Sequence, residues 1–338
     1  MKKLLLFDVD GTLIDYDGTL PKSTKNAISK ARENGNLAVI VTGRSRSHIE
    51  EPILEIGFDG IIGGNGAYIE LNNKVIKDET IPVEDVKRIV DYLNRHHLEY
   101  YIEANDGLYG SQNFKVRGVD ALKQYGMKNP DVMEIYPTMI FPKNLYVENV
   151  TKINYILESY QNYLDFKEAF PEFKDLTWGG KGEKAIFGDC ALKDIDKQKA
   201  IKEIVNYLKI NQENIYAFGD AEVDIPMFEI AGTSICVGNG REKAKKQASY
   251  VTKPVSEDGI EYALKHFEIG CKYNNIEYHN LEFYDMEDFY KIKDKYSFKK
   301  IPKIFLPNLN TRYSIIENLS KFARKLNIKN FLIFDYMN

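Results

Sequence analysis

Cysteine is scarce in this chain, with three residues, Cys190, Cys236 and Cys271, among 338. Odd in number and far apart, they form neither a disulfide framework nor a C-x-x-C metal knuckle, and they suit reduced thiols. The five histidines, His48, His96, His97, His266 and His279, show no H-E-x-x-H or related spacing, so zinc is not expected. Long apolar runs are missing as well. Leu4 to Phe7 is cut by Asp8, too early for a signal peptide, and no window approaches the ~20 apolar residues of a membrane span. An excess of positive charge is also absent, since 46 Lys and Arg stand against 50 Asp and Glu, a net −4. No overall basic field exists to grip nucleic acid or anionic lipid. A cytoplasmic protein with no nucleic-acid or membrane partner is expected. Gly179-Gly180-Lys181-Gly182 lacks the spacing and the Ser/Thr of a Walker loop and reads as a hairpin turn.

What is present is ordinary globular composition, 43% hydrophobic and 28% charged, enough for sizeable cores. The length exceeds twice the ~150 residues common for one domain, so two compact units are expected. A buried strand, Lys3 to Phe7, precedes a helix over Thr24–Asn34, capped by Ser23 and stopped by Gly35. The strand Leu37 to Val41, a helical segment near Ser47–Ile56 and a short strand at Asp59–Ile62 follow, the pattern of a parallel sheet with crossover helices. From Ile81 the rhythm changes: a helix over Val83–His96, an aromatic strand at Tyr100–Glu103, loop-rich sequence, a helix near Asn149–Tyr163 and a strand near Ala185. After Asp196 the α/β alternation returns, with a helix to Lys209, strands at Ile215–Phe218 and Ser234–Val237, and helices from Pro226 and Glu242. An insertion within one α/β domain explains this better than two domains in series. Residues 1–80 and 190–266 are expected to form the core, 81–189 the insertion, and 267–338 a C-terminal extension of unassigned role, with a strand at Ile304–Leu306, a helix at Thr311–Leu326 and a strand at Phe331–Phe334.

Asp8-Val9-Asp10-Gly11-Thr12 stands directly after the first strand, so both carboxylates belong at the C-terminal lip of a parallel sheet, where α/β domains bind ligands. One can serve as nucleophile and the other as general acid and base, although D-x-D-G alone also occurs at solvated turns. The near copy at Asp15-Tyr16-Asp17-Gly18-Thr19-Leu20 has no strand before it and reads as a turn or flap beside the site. Position twelve counted from Asp8 is Thr19, which excludes an EF-hand. Thr42-Gly43-Arg44 offers an anion a hydroxyl, an unobstructed backbone N–H and a positive charge. Asp220 closes a third strand and Asp224 begins a helix, where acids are also simple caps. Lys197 opens a helix, but spacing alone does not separate it from Lys199 and Lys202.

Together and in order, D-V-D-G-T-L at 8–13, V-T-G-R at 41–44, a helix-leading Lys197 and G-D-A-E-V-D at 219–224 resemble the four motifs of the haloacid dehalogenase superfamily. The insertion between the second and third, preceded by Asn65-Gly66-Ala67, resembles the Cof-type branch with its large α/β cap; the likeness spans residues 1 to about 266. It implies a Rossmann-like parallel-sheet core with an inserted cap, and a Mg2+-dependent phosphatase of small phosphorylated metabolites, sugar phosphates being the commonest class. Asp8 would be the nucleophile, forming an aspartyl-phosphate, and Asp10 the acid and base. Thr42, Gly43 and Lys197 would hold the phosphoryl group, and Asp8, Asp10, Asp220 and Asp224 the metal. Val223 departs from the branch, which carries asparagine there, and implies altered orientation near the metal or phosphate. A phosphotransferase or mutase using the same aspartyl-phosphate, or a phosphate-ligand sensor, are the other readings, and the oligomeric state is open.

Overall fold

The structure is a computed structural model and describes residues 2–180 and 182–270, together with the short strands Leu281–Glu282 and Ile304–Phe305. The chain divides into two compact units, Met1–Gly270 and Cys271–Asn338.

The first unit opens with β1 (Leu4–Phe7), which is wholly buried. Strands β2 (Leu37–Val41) and β3 (Gly60–Gly63) follow in parallel on one side of it. Then comes an antiparallel hairpin, β4 (Tyr68–Leu71) and β5 (Lys74–Asp78). Asn72 and Asn73 turn that hairpin with φ of 51° and 59°, the left-handed pair a two-residue turn requires. Alternation along β1 and β2 divides their side chains between two apolar layers. Leu5, Phe7, Ala38 and Ile40 pack with the helices Lys22–Glu33 and Gly259–His266. Leu4, Leu6, Val39 and Val41 pack with the helix Lys197–Leu208. Burial on both faces explains why these strands are continuous apolar runs rather than alternating ones.

The middle of the unit is a second, antiparallel sheet of five strands in the order β7-β6-β8-β10-β9. They are β6 (Tyr100–Ala104), β7 (Gly107–Gly110), β8 (Val150–Ile156), β9 (Phe173–Trp178) and β10 (Phe187–Leu192). Ile102, Ile153, Tyr155 and Cys190 point into a core shared with the helices Val83–Arg95 and Tyr160–Ala169. The opposite face carries Glu103, Lys152, Asn154 and Asp189, as the two-residue period of a strand dictates. The chain then returns to the first sheet through β11 (Ile215–Gly219), β12 (Thr233–Cys236) and β13 (Tyr250–Val251). The final order is β13-β12-β11-β1-β2-β3-β4-β5. The fold is thus α/β with a mostly parallel central sheet.

Three expectations are corrected. The first helix begins at Lys22 behind Pro21, and Ser23 donates to Asp258 Oδ1 at 2.5 Å instead of capping. The segment placed in a helix over Asn149–Tyr163 is strand β8 followed by the helix Tyr160–Ala169. Its Val-Thr-Lys-Ile-Asn-Tyr-Ile is rich in β-branched and aromatic residues, and in a central strand both faces are covered, which hides the alternation. The loop-rich stretch after Glu103 contains β7 and the helix Phe114–Tyr125. Gly179, Gly180 and Gly182 do lie in the hairpin connection between β9 and β10. In the second unit Leu281–Glu282 pairs in parallel with Ile304–Phe305. The helix and last strand expected at Thr311–Leu326 and Phe331–Phe334 lie outside the described residues.

Candidate active site

The strand order places β1 between β2 and β11, the point at which successive connections diverge to opposite sides of the sheet. Beyond the carboxyl ends of such strands an open α/β sheet has its crevice. Asp8 follows β1, Thr42 follows β2 and Asp220 follows β11, so three residues distant in sequence share one lip.

Asp8, Asp220 and Asp224 are buried, and each places a carboxylate oxygen within 4.8 Å of the others. Lys197 joins them, its Nζ 3.1 Å from Asp224 Oδ1 and 3.5 Å from Asp8 Oδ1. Lys197 is the first residue of its helix, capped by Asp196, whose side chain accepts from Lys199 N–H. Burial would depress the ammonium, but Asp224 and then Asp8 hold it above its ordinary range, so it stays charged. Asp224 Oδ2 accepts the backbone N–H groups of Asp220 and Ala221 at 3.0 and 3.1 Å. Asp224 therefore folds the loop after β11 and aims Lys197. A glycine is needed at 219 because a Cβ there would lie 2.6 Å from that of Asp224.

Burial and then Asp224 push the Asp8 carboxyl well above the usual range, and Lys197 only partly opposes them. Burial lifts Asp220 to about 6, against the Tyr16 hydroxyl, which pulls it down. One lysine among three buried carboxylates leaves uncompensated negative charge. A set of hard oxygen donors with that deficit fits a divalent cation such as Mg2+.

Thr42 is buried, and its Oγ1 accepts the Arg44 N–H at 3.2 Å, leaving the hydroxyl proton to be donated elsewhere. Gly43 is approached closely by Asn65, whose Oδ1 would be 3.2 Å from an added Cβ. Asp10 is not among the clustered carboxylates. Arg44 holds it bidentately, Nη2 to Oδ1 at 2.6 Å and Nε to Oδ2 at 3.0 Å. The Asp10 side chain is 55% exposed, and against what desolvation remains the Arg44 pair keeps its carboxyl below the ordinary value. Val223, where a changed metal neighbour was expected, is 66% exposed on the turn before Asp224.

Several residues here were not selected from the sequence. Glu103 on β6 is 1% exposed and accepts from Ser45 N–H, Asn154 Nδ2 and Lys152 Nζ, each at 2.9 Å. His48 Nδ1 lies 3.3 Å from the same carboxylate. Lys152 Nζ also donates to the Gly43 carbonyl at 3.2 Å. The second sheet is thereby fastened to the loop after β2. Only the polar letters of β6 and β8 hinted at this, and their partners lie too far away in sequence to be read. The loop after Leu13, read as a flap, brings the Tyr16 hydroxyl onto Asp220 Oδ2.

The chain belongs to the haloacid dehalogenase-like hydrolases, whose family model matches residues 5–264. It is an enzyme of that family. It is 28% identical over 275 residues to YkrA of Bacillus subtilis (strain 168), a match covering 79% of this chain and 98% of YkrA. The pyridoxal phosphate phosphatase YbhA of Escherichia coli (strain K12) is 26% identical over 272 residues, 76% of this chain and 96% of YbhA. Among solved structures, that of the HAD subclass IIB sugar phosphatase BT4131 matches with a TM-score of 0.62 at 27% identity, over 79% of this chain and 100% of that one.

Proposed function

We propose that the protein is a Mg2+-dependent phosphatase of small phosphorylated metabolites, sugar phosphates first among them, acting through an aspartyl-phosphate on Asp8. The observation that carries this is the convergence of Asp8, Lys197, Asp220 and Asp224 at the lip of the sheet. An anionic nucleophile cannot approach a phosphate dianion until positive charge neutralises both. Lys197 brings part of that charge to within 3.5 Å of Asp8. Asp8, Asp220 and the Asp10 carbonyl would hold Mg2+, with Asp224 binding directly or through water, and the bound ion would supply the remaining charge.

In the first step an Asp8 carboxylate oxygen attacks phosphorus, and the alcohol leaves with a proton from Asp10. In the second, Asp10 takes a proton from water, which attacks the same phosphorus and releases inorganic phosphate, restoring Asp8. Thr42, the Gly43 backbone N–H and Lys197 hold the phosphoryl oxygens. Asp10 acts once the substrate draws it away from Arg44. Residues 81–189 form the cap that excludes water from this cycle. No helix among the described residues is long and apolar enough to cross a membrane.

The test is phosphate release from a panel of sugar phosphates, pyridoxal phosphate and p-nitrophenyl phosphate, with and without Mg2+. Release that requires the metal supports the proposal. A folded protein that releases phosphate from none of them contradicts it.

A further inference from the structure

The three clustered carboxylates are not held equally. Asp224 receives two backbone N–H groups and the Lys197 ammonium, and Asp8 has Lys197 beside it. Among the described residues, the single hydrogen-bond donor to the Asp220 carboxylate is the hydroxyl of Tyr16, on Oδ2.

The loop that carries Tyr16 is built to deliver it. Asp15 N–H bonds the Thr19 carbonyl and Gly18 N–H the Asp15 carbonyl, both at 2.9 Å. The Asp15 side chain accepts from Tyr16 N–H at 2.8 Å, and that of Asp17 from Thr19 N–H at 2.9 Å. The tyrosine ring lies over Gly11, where φ is +79° and a Cβ would stand 2.8 Å from both Tyr16 Cζ and Asp220 Oδ2. Asn239 Nδ2 fixes the Gly11 carbonyl at 2.8 Å, and Arg241 N–H fixes the Asp220 carbonyl at 2.7 Å. Tyr16 itself is 50% exposed, so the ring contributes little to a core. Its hydroxyl bonds the carboxylate, with the Arg241 side chain acting on both groups.

Resting on the reading of Asp220 as a metal ligand, we propose that Tyr16 is the positioning residue of the cation site. Its hydroxyl ties one oxygen of Asp220 and thereby presents the other to the ion. A carboxylate free to rotate would lose entropy on binding, and one anchored by an outer hydrogen bond has already lost it. Removing such outer partners typically weakens metal affinity about 10- to 100-fold. The near copy of the first motif is then a loop that serves the site from outside the set of ligands.

The experiment is Tyr16→Phe in the full chain, with Mn2+ binding followed by electron paramagnetic resonance and Mg2+ binding by calorimetry. Both dissociation constants should rise about tenfold or more. The thermal midpoint of the metal-free protein should not change, and raising Mg2+ should reverse the loss of turnover seen at low metal. Affinities within twofold of wild type, or tighter, overturn the inference, as does a loss of turnover that excess metal does not reverse. Absence of Mn2+ binding by the wild-type chain would overturn the metal-site reading itself, and Tyr16's role with it.

Discussion

A buried carboxylate has a different cost at each position, and two in this protein illustrate the range. Asp8 is forced upward by burial and by its neighbours, yet Lys197 stands beside it and the cluster is the one into which a cation fits. Asp175, on β9, has only partial relief, from the charges of Lys167 and Lys193. Its Oδ1 is buried without a hydrogen bond, and burial together with Asp189 pushes the carboxyl up to about 7 from an ordinary 3.8. The folded state therefore binds this proton more tightly than the unfolded chain. The group's contribution is most favourable below about pH 4, is lost as pH rises toward 7, and is constant above that. Asp175→Asn should then be more stable than wild type at pH 8 by on the order of 1–2 kcal/mol after solvent screening, with the gap closing at pH 4. Urea unfolding at the two pH values measures it, and a gap independent of pH would refute the account. The motif residues could be read from the sequence because each lies in a short run beside a strand or helix end. Tyr16 was read only as part of a turn, because nothing in the string links position 16 to position 220. Val223, expected near the metal or phosphate, is exposed on the turn between two buried aspartates.

At the scale of elements, the strands of the parallel sheet were legible as unbroken apolar runs, and those of the second sheet were not. β8 carries Lys152 and Asn154 on one face and Ile153 and Tyr155 on the other, and both faces are covered. Its polar residues are satisfied by Glu103 of the neighbouring strand, and Glu103 in turn holds Ser45 and His48 beside β2. Removing one partner of such a pair leaves a buried charge, which costs about 3–5 kcal/mol, whereas removing both can be nearly neutral. Glu103→Ala should destabilise the protein by that amount, and adding Lys152→Met should restore part of the loss. A double-mutant cycle in urea measures the coupling. Strictly additive effects would show that the two side chains do not act together.

At the scale of the molecule, the order of the strands does what no single motif can. By placing β1 between β2 and β11 it gathers residues 8, 42 and 220 at one crevice, and the helix begun by Lys197 reaches the same point after the intervening sheet. The interruption in the α/β rhythm of the sequence coincides with the stretch that forms the second sheet. The hairpin β4–β5 and the strands β7 and β9 were missed because their signals are short turns and few residues. The central claim is that this crevice transfers a phosphoryl group to Asp8. The most direct measurement is borohydride quenching of the enzyme during turnover, which reduces an aspartyl-phosphate to homoserine, followed by peptide mass spectrometry. Homoserine at position 8, absent without substrate and accompanied by loss of phosphate release in Asp8→Asn, is the predicted result. Reduction at a different residue, or phosphate release that persists in Asp8→Asn, would contradict it.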